Sequence, residues 1–153
     1  MALSAGDAAP DFTKKDQNGD ELTLSTLLQD APVLLVFVPF AFTGVCQGEL
    51  CAIRDDYSEF TEKGVSVVAL SCDPGPSQKQ WAEEQGYPFS MVPDFWPHGE
   101  ISRSFGIFNE DLGCAMRGSF LVGQDGTVID SFESGGLGEA REASRYEEAL
   151  AKL

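Results

Sequence analysis

The 153-residue sequence predicts an α/β fold, a central mixed sheet flanked by helices with an N-terminal β extension, on three observations. Two continuous β-prone runs, "VLLVFV" (Val33 to Val38) and "VSVVALS" (Val65 to Ser71), read as strands covered on both faces. Between them Leu50, Ile53, Tyr57 and Phe60 recur at spacings of three and four, which is one face of a helix. Farther on, "GSFLVGQDGTVIDSF" (Gly118 to Phe132) sets Asp125-Gly126 between two β-prone runs, a hairpin signal.

Taken in order, "ELTLSTLL" (Glu21 to Leu28) alternates polar and apolar after the turn "QNGD" and fits an early strand or hairpin. The strand Val33 to Val38 follows, then a helix from about Cys46 to Lys63 with Gly64 as its stop, then the strand Val65 to Ser71. This is a right-handed βαβ unit with parallel strands, and open α/β sheets form their sites at the C-terminal ends of such strands. A second helix is expected from about Ser77 to Gln85 and a short one near Glu100 to Phe105. After the hairpin, "EASRYEEALAKL" reads as an amphipathic helix with Tyr146, Leu150 and Leu153 on one stripe. That order matches a thioredoxin-like fold. No repeat, low-complexity segment or long linker divides the chain, so residues 1–153 read as a single domain.

Ten Lys and Arg against 25 Asp and Glu give a net charge of −15, which argues against nucleic acid and anionic membrane as partners and favours solubility. No apolar run reaches about 18 residues, and "MALSAGDAAPDFTKKD" lacks the basic and apolar regions of a signal peptide, so a cytoplasmic location is expected. In a reducing compartment the four cysteines, 46, 51, 72 and 114, read as small buried hydrophobes or redox-active thiols rather than a structural disulfide set. So acidic a chain does not stabilise a thiolate by its overall field. A reactive cysteine therefore needs a local cation or a helix terminus.

Cys46 has such a place, where the first buried strand gives way to the first long helix and unpaired backbone N–H groups carry partial positive charge. Pro39, which has no N–H, ends the strand ladder, and the Thr43 hydroxyl lies near enough along the turn to bond whatever meets the sulfur. On position alone the alternative is a cysteine acting as a small apolar filler on the inner helix face.

The spacing P-x-x-x-T-x-x-C, here "PFAFTGVC", resembles the active-site motif of the peroxiredoxins. The resemblance covers most of the chain. "AGDAAPDFTKKDQNGDELTL" is similar to the family's N-terminal β segment, "VLLVFVPFAFTGVCQGEL" to its catalytic segment and "MRGSFLVGQDGTVI" to its later strand pair, while "DFWPHGEISRSFGIFNE" and "RGSF" resemble the alkyl hydroperoxide reductase E subgroup. The resemblance implies a thiol-dependent peroxidase that reduces hydrogen peroxide and organic hydroperoxides through a cysteine sulfenic acid. It implies Cys46 as the nucleophile, Thr43 bonding the peroxide, Pro39 shielding the pocket, Arg117 as the cation on thiolate and peroxide, and Glu49 orienting Arg117. It also implies a thiol reductant (thioredoxin, a glutaredoxin-like protein or a low-molecular-weight thiol), a homodimer, and no cofactor or metal.

Cys51 departs from the E-type pattern and resembles the bacterioferritin comigratory protein subgroup, in which a second cysteine five residues on resolves the sulfenic acid as an intramolecular disulfide. In an ideal helix those two Cα atoms lie about 8.7 Å apart. A disulfide needs less than about 7 Å, so the helix must open. A partly buried helix residue is the competing reading of Cys51. Cys72, after the neighbouring parallel strand, and Cys114, three residues before Arg117, are further candidate partners, with core or surface thiol as their default.

His98 is the only histidine, so "FWPHG" reads as loop packing, and Trp81 and Trp96 read as core anchors or pocket walls. Phe40, Phe42 and Phe95-Trp96 suggest an apolar pocket mouth, favouring organic hydroperoxides. Two other functions compete. A thiol–disulfide oxidoreductase normally carries C-x-x-C, but Glu49 stands where its second cysteine belongs. The other is a redox-sensing binding module without turnover.

Overall fold

In the computed structural model, which describes residues 2–153, the chain opens with the antiparallel pair β1 (Thr13–Lys15) and β2 (Glu21–Thr23), followed by α1 (Leu24–Asp30). The expected strand from Glu21 to Leu28 is thus only half strand. Leu24 and Leu28, four apart, are both buried, and a helical turn is what puts them on one side.

Next come β3 (Val33–Phe37), α2 (Gly44–Asp55), α3 (Tyr57–Glu62), β4 (Ser66–Ser71) and α4 (Gly75–Gln85). The expected helix from Cys46 to Lys63 is two helices, because the chain leaves helical geometry at Asp56 (φ −102°, ψ 18°). The turn lets Phe60 join the same core as Cys46, Leu50 and Ile53. The chain then continues through β5 (Ser90–Pro93), α5 (Glu100–Ser104), the short pair β6 (Phe108–Asn109) and β7 (Cys114–Ala115), the hairpin β8 (Gly118–Val122) and β9 (Val128–Glu133), and α6 (Ser144–Leu150).

The central sheet has the order β5-β4-β3-β8-β9, with β3, β4 and β5 parallel and β8 and β9 antiparallel to their neighbours. Alternate residues of β3 face opposite ways, as a pleated strand requires. Leu34 and Val36 pack with Leu50, Ile53, Trp81 and Leu150 of the helices on one face, whereas Leu35 and Phe37 pack with Leu24, Ile101 and Phe105 on the other. Burial on both faces explains why β3 reads as an unbroken apolar run.

Strand β5 was not expected from the sequence, since four residues ending in proline give little periodic signal. It is an edge strand, and Gln17 occupies its outer side: the Met91 N–H donates to Gln17 Oε1 (2.8 Å) and the Gln17 N–H to the Met91 carbonyl (3.0 Å). The last helix ends at Leu150, and Leu153 is exposed rather than part of the buried stripe. Trp81 is fully buried, but Trp96 is 78% exposed and anchors no core. The expected loop packing of His98 takes a specific form, with its ring nitrogens facing the carbonyls of Phe95 (3.1 Å) and Gly113 (2.7 Å).

Two hydrogen bonds and one left-handed residue aim the segment between β3 and α2. The Val38 N–H still donates to the Leu70 carbonyl (2.9 Å), after which Pro39 offers no donor and the ladder stops. The Ala41 N–H donates to Asp73 Oδ2 (2.8 Å), and Phe42 takes a left-handed conformation (φ 63°) that turns the chain into α2. Leu50, fully buried, seats α2 on the sheet. Leu50→Ala should lower the unfolding free energy by about 2–5 kcal/mol, read from urea unfolding. A loss under about 1 kcal/mol would mean that α2 is seated by something else.

Candidate active site

Cys46 is the third residue of α2 and is completely buried. Its sulfur faces Arg117, whose Nη1 donates to Sγ at 3.2 Å. Arg117 sits in the bend between β7 and β8 and is 5% exposed, so the guanidinium points inward. Its Nε donates to the Leu137 carbonyl at 2.6 Å, which holds the plane of the fork.

Glu49, one turn after Cys46 on α2, receives the same guanidinium: Arg117 Nη1 donates to Glu49 Oε1 at 2.7 Å. The carboxylate is also gripped by Arg141, a residue the sequence reading missed. Arg141 Nη2 donates to Oε1 (2.9 Å), and its Nε and backbone N–H donate to Oε2 (2.9 and 2.8 Å). Arg141 Nη1 is satisfied by the carbonyls of Phe37 (2.7 Å) and Gly118 (2.8 Å) and by Ser119 Oγ (3.2 Å), tying β3, β8 and α2 together. No local pattern marks Arg141, since its neighbours are glycine, alanine and glutamate and its partners are distant in sequence.

Burial by itself pushes the Glu49 carboxyl up. The hydrogen bonds and charge of Arg141, joined by the charge of Arg117, outweigh that and hold it below the usual glutamate value. The buried set thus contains two guanidiniums and one carboxylate, a net positive charge against the Cys46 sulfur.

Thr43 is the N-cap residue of α2, with extended backbone. Its hydroxyl donates to the Phe40 carbonyl (2.7 Å), which leaves the oxygen lone pairs open to solvent at the helix start. Pro39 is buried beneath this turn. Phe40 and Phe42 precede Thr43 in sequence and are exposed, as are Phe95 and Trp96 in the loop between β5 and α5.

The remaining thiols face different surroundings. Cys51 is partly buried on α2, with Sγ 3.5 Å from Gln85 Oε1 and 3.6 Å from the Tyr87 hydroxyl, so it turns toward the end of α4 rather than toward Arg117. The helix between Cys46 and Cys51 is unbroken. Cys72 is buried near Asp94 and Ser102, and burial together with the Asp94 charge pushes its thiol up to about 12. Cys114 is buried on β7, and burial raises its thiol as well. The structure therefore brings Cys46, Arg117 and Glu49 into contact and leaves Cys51, Cys72 and Cys114 outside that contact.

A sequence profile of the AhpC/TSA family matches residues 5–131. Alkyl hydroperoxide reductase E of Mycobacterium tuberculosis is 44% identical over 151 residues, 99% of this chain and 98% of that protein. Peroxiredoxin Bcp of Escherichia coli K12 is 32% identical over 137 residues, 86% of each chain. Among solved structures, peroxidoxin BcpB of Mycobacterium tuberculosis superposes with a TM-score of 0.86 at 32% identity, covering 98% of this chain and 96% of that one. The peroxiredoxin 6 of Arenicola marina gives 0.87 at 22% identity, over 98% and 73%, and supports the fold. With likeness of this extent in both sequence and fold, the chain belongs to the AhpC/TSA family and takes its place among the peroxiredoxins.

Proposed function

We propose that this protein is a thiol-dependent peroxidase with Cys46 as its nucleophile. The observation that carries the reading is charge balance in the buried site: Arg117 and Arg141 bring two positive charges and Glu49 one negative. Unpaired buried charge is costly, so a thiolate on Cys46, 3.2 Å from Arg117 Nη1, completes the set. The N-terminus of α2 adds its partial positive charge to the same atom.

In the first step the thiolate attacks the terminal peroxide oxygen and the O–O bond breaks. The sulfur is oxidised to sulfenic acid, and water or an alcohol leaves once the departing oxygen has taken a proton. Because the Thr43 hydrogen is already given to Phe40, its oxygen is free to accept the peroxide O–H. The Arg117 fork supplies donors to the oxygens as negative charge moves along them. Pro39, having no N–H, lines the pocket without competing for the peroxide.

Resolution by Cys51 requires α2 to open. Gly44 and Gly48 flank Cys46 within the first turns, and a side chain at either would meet nothing within 4 Å. Packing does not demand glycine there, so its effect is to weaken the helix, by about 1 kcal/mol at the interior position Gly48. We assign Cys51 as the resolving thiol on that basis: its attack on the sulfenic acid forms a disulfide and releases water. A thioredoxin, a glutaredoxin-like protein or a low-molecular-weight thiol then restores both thiols. The exposed Phe40, Phe42 and Trp96 suit organic hydroperoxides and a homodimer contact at the pocket rim, and four free cysteines suit a reducing, cytoplasmic setting.

With dithiothreitol as reductant, wild type should consume peroxide and Cys46→Ser should not. Arg117→Ala should slow the stopped-flow peroxide step by about 10²–10³-fold. Turnover in Cys46→Ser would remove the nucleophile assignment, and no turnover in wild type would favour a redox sensor. Non-reducing peptide mapping after one equivalent of peroxide should yield a Cys46–Cys51 peptide, formed several-fold more slowly in Gly48→Ala. A persistent sulfenic acid without that peptide would rule Cys51 out.

Because the Glu49 carboxyl is held below its ordinary value of 4.5, its ion pairs stabilise the fold above that pH. The stabilisation disappears as the pH falls through the lowered value. The stability gap between wild type and Glu49→Gln in urea unfolding should therefore be full at neutral pH and close on acidification below pH 4.5. A gap independent of pH would mean that the carboxylate charge is not what is stabilised.

A further inference from the structure

A groove runs along the seam where α2 and α3 meet α6, with a volume of about 460 Å³. Its floor is apolar, built from Val45, Ala52, Ile53, Phe60, Tyr146 and Leu150. Its rim is acidic: Asp56 and Glu59 stand on one side and Glu147 on the other. The seam continues into a second hollow in which Glu59 and Glu147 recur beside Glu62, with Lys63 as the one basic residue. At the inner end lie Glu49 and Arg141, so the groove backs onto the ion pairs behind Cys46 without including the sulfur.

We propose that this groove docks a partner protein through a basic amphipathic helix. An apolar floor of this size accepts the side chains that a helix presents at positions i, i+3 or i+4, and i+7. The carboxylates on both rims then face the lysines and arginines flanking that stripe. The wall made by α6 is seven residues, about 10 Å, which matches about two turns of a docked helix.

Charge selects this occupant over the others. A second copy of the chain carries −15 and offers no basic helical face among the described residues: Arg145 and Lys152 of the α6 region are engaged by Asp130, Arg54 of α2 by Asp55 and Arg103 of α5 by Glu110, and Lys79 is the only basic residue of α4. Nucleic acid and anionic lipid are repelled by the same rim. The groove reaches Val45 and Gly48 in the first turns of α2 but not Thr43, Phe40 or Phe42, so it lies beside the peroxide entrance rather than over it.

The test uses the full-length protein and a fluorescently labelled helical peptide of about 12 residues, with leucines at the i, i+3, i+4 and i+7 positions and lysines beside them. Anisotropy should rise saturably, and the affinity should fall about tenfold in the double variant Glu59→Lys with Glu147→Lys. It should fall similarly in Ala52→Trp, which fills the floor. All three positions are exposed, so the fold should survive, and peroxide consumption should be unchanged in each variant.

Equal binding of a scrambled peptide of the same composition would show bulk charge attraction and overturn the proposal, as would binding that ignores both variants. Binding of monomeric dodecyltrimethylammonium without binding of the peptide would assign the groove to a small cationic amphiphile instead. Self-association that the charge reversal alters would assign it to a second copy.

Discussion

The Glu49 carboxylate, buried on α2 between Arg117 and Arg141, is the interaction on which the rest of the site depends. Removing one member of such a buried set leaves uncompensated charge, at a cost of about 3–5 kcal/mol. Arg141 meets this demand with geometry as well as charge, since its fork and backbone N–H place three donors on Glu49 while Nη1 reaches the carbonyls of β3 and β8. Arg117, fixed by Leu137 and Glu49, then has one direction left in which to face, and the Cys46 sulfur lies there. The orientation of a single guanidinium thus links a helix, two strands and the loop before α6.

That linkage separates Cys46 from the other thiols in physical terms. All four sit in one acidic chain, and three are almost fully buried, which by itself disfavours a thiolate. Cys72 meets the Asp94 carboxylate, the wrong sign of charge, while Cys46 meets a cation at the start of a helix. The remaining distinction lies in mechanical freedom: the glycines of α2 stand around Cys46, whereas Leu50 and Ile53 fasten the later part of the same helix to the sheet. One end of α2 is free to rearrange while the other stays seated.

Much of this was legible in the sequence where a pattern is short-range. The apolar runs of β3 and β4, the Asp125-Gly126 hairpin and the P-x-x-x-T-x-x-C spacing are each contained within a few residues, and each corresponds to the element or turn expected. What was not legible depends on contacts between distant segments. Leu24 carries strand-like alternation with Leu22, but a tertiary face for Leu28 makes it helical. β5 exists because β4 and Gln17 pair with it from either side, and Arg141 matters only because folding brings it to Glu49. Of the two readings of Trp96, core anchor or pocket wall, its exposure in the loop removes the first.

We propose that Cys46 carries the charge that neutralises the arginines behind it. The most direct measurement is the ultraviolet thiolate absorbance of a Cys51→Ser, Cys72→Ser, Cys114→Ser variant at neutral pH, with the additional Cys46→Ser change as the blank. A thiolate band is expected in the single-cysteine protein, lost or strongly reduced when Arg117→Ala is added. No band in the parent, or a band that Arg117→Ala leaves untouched, would contradict it.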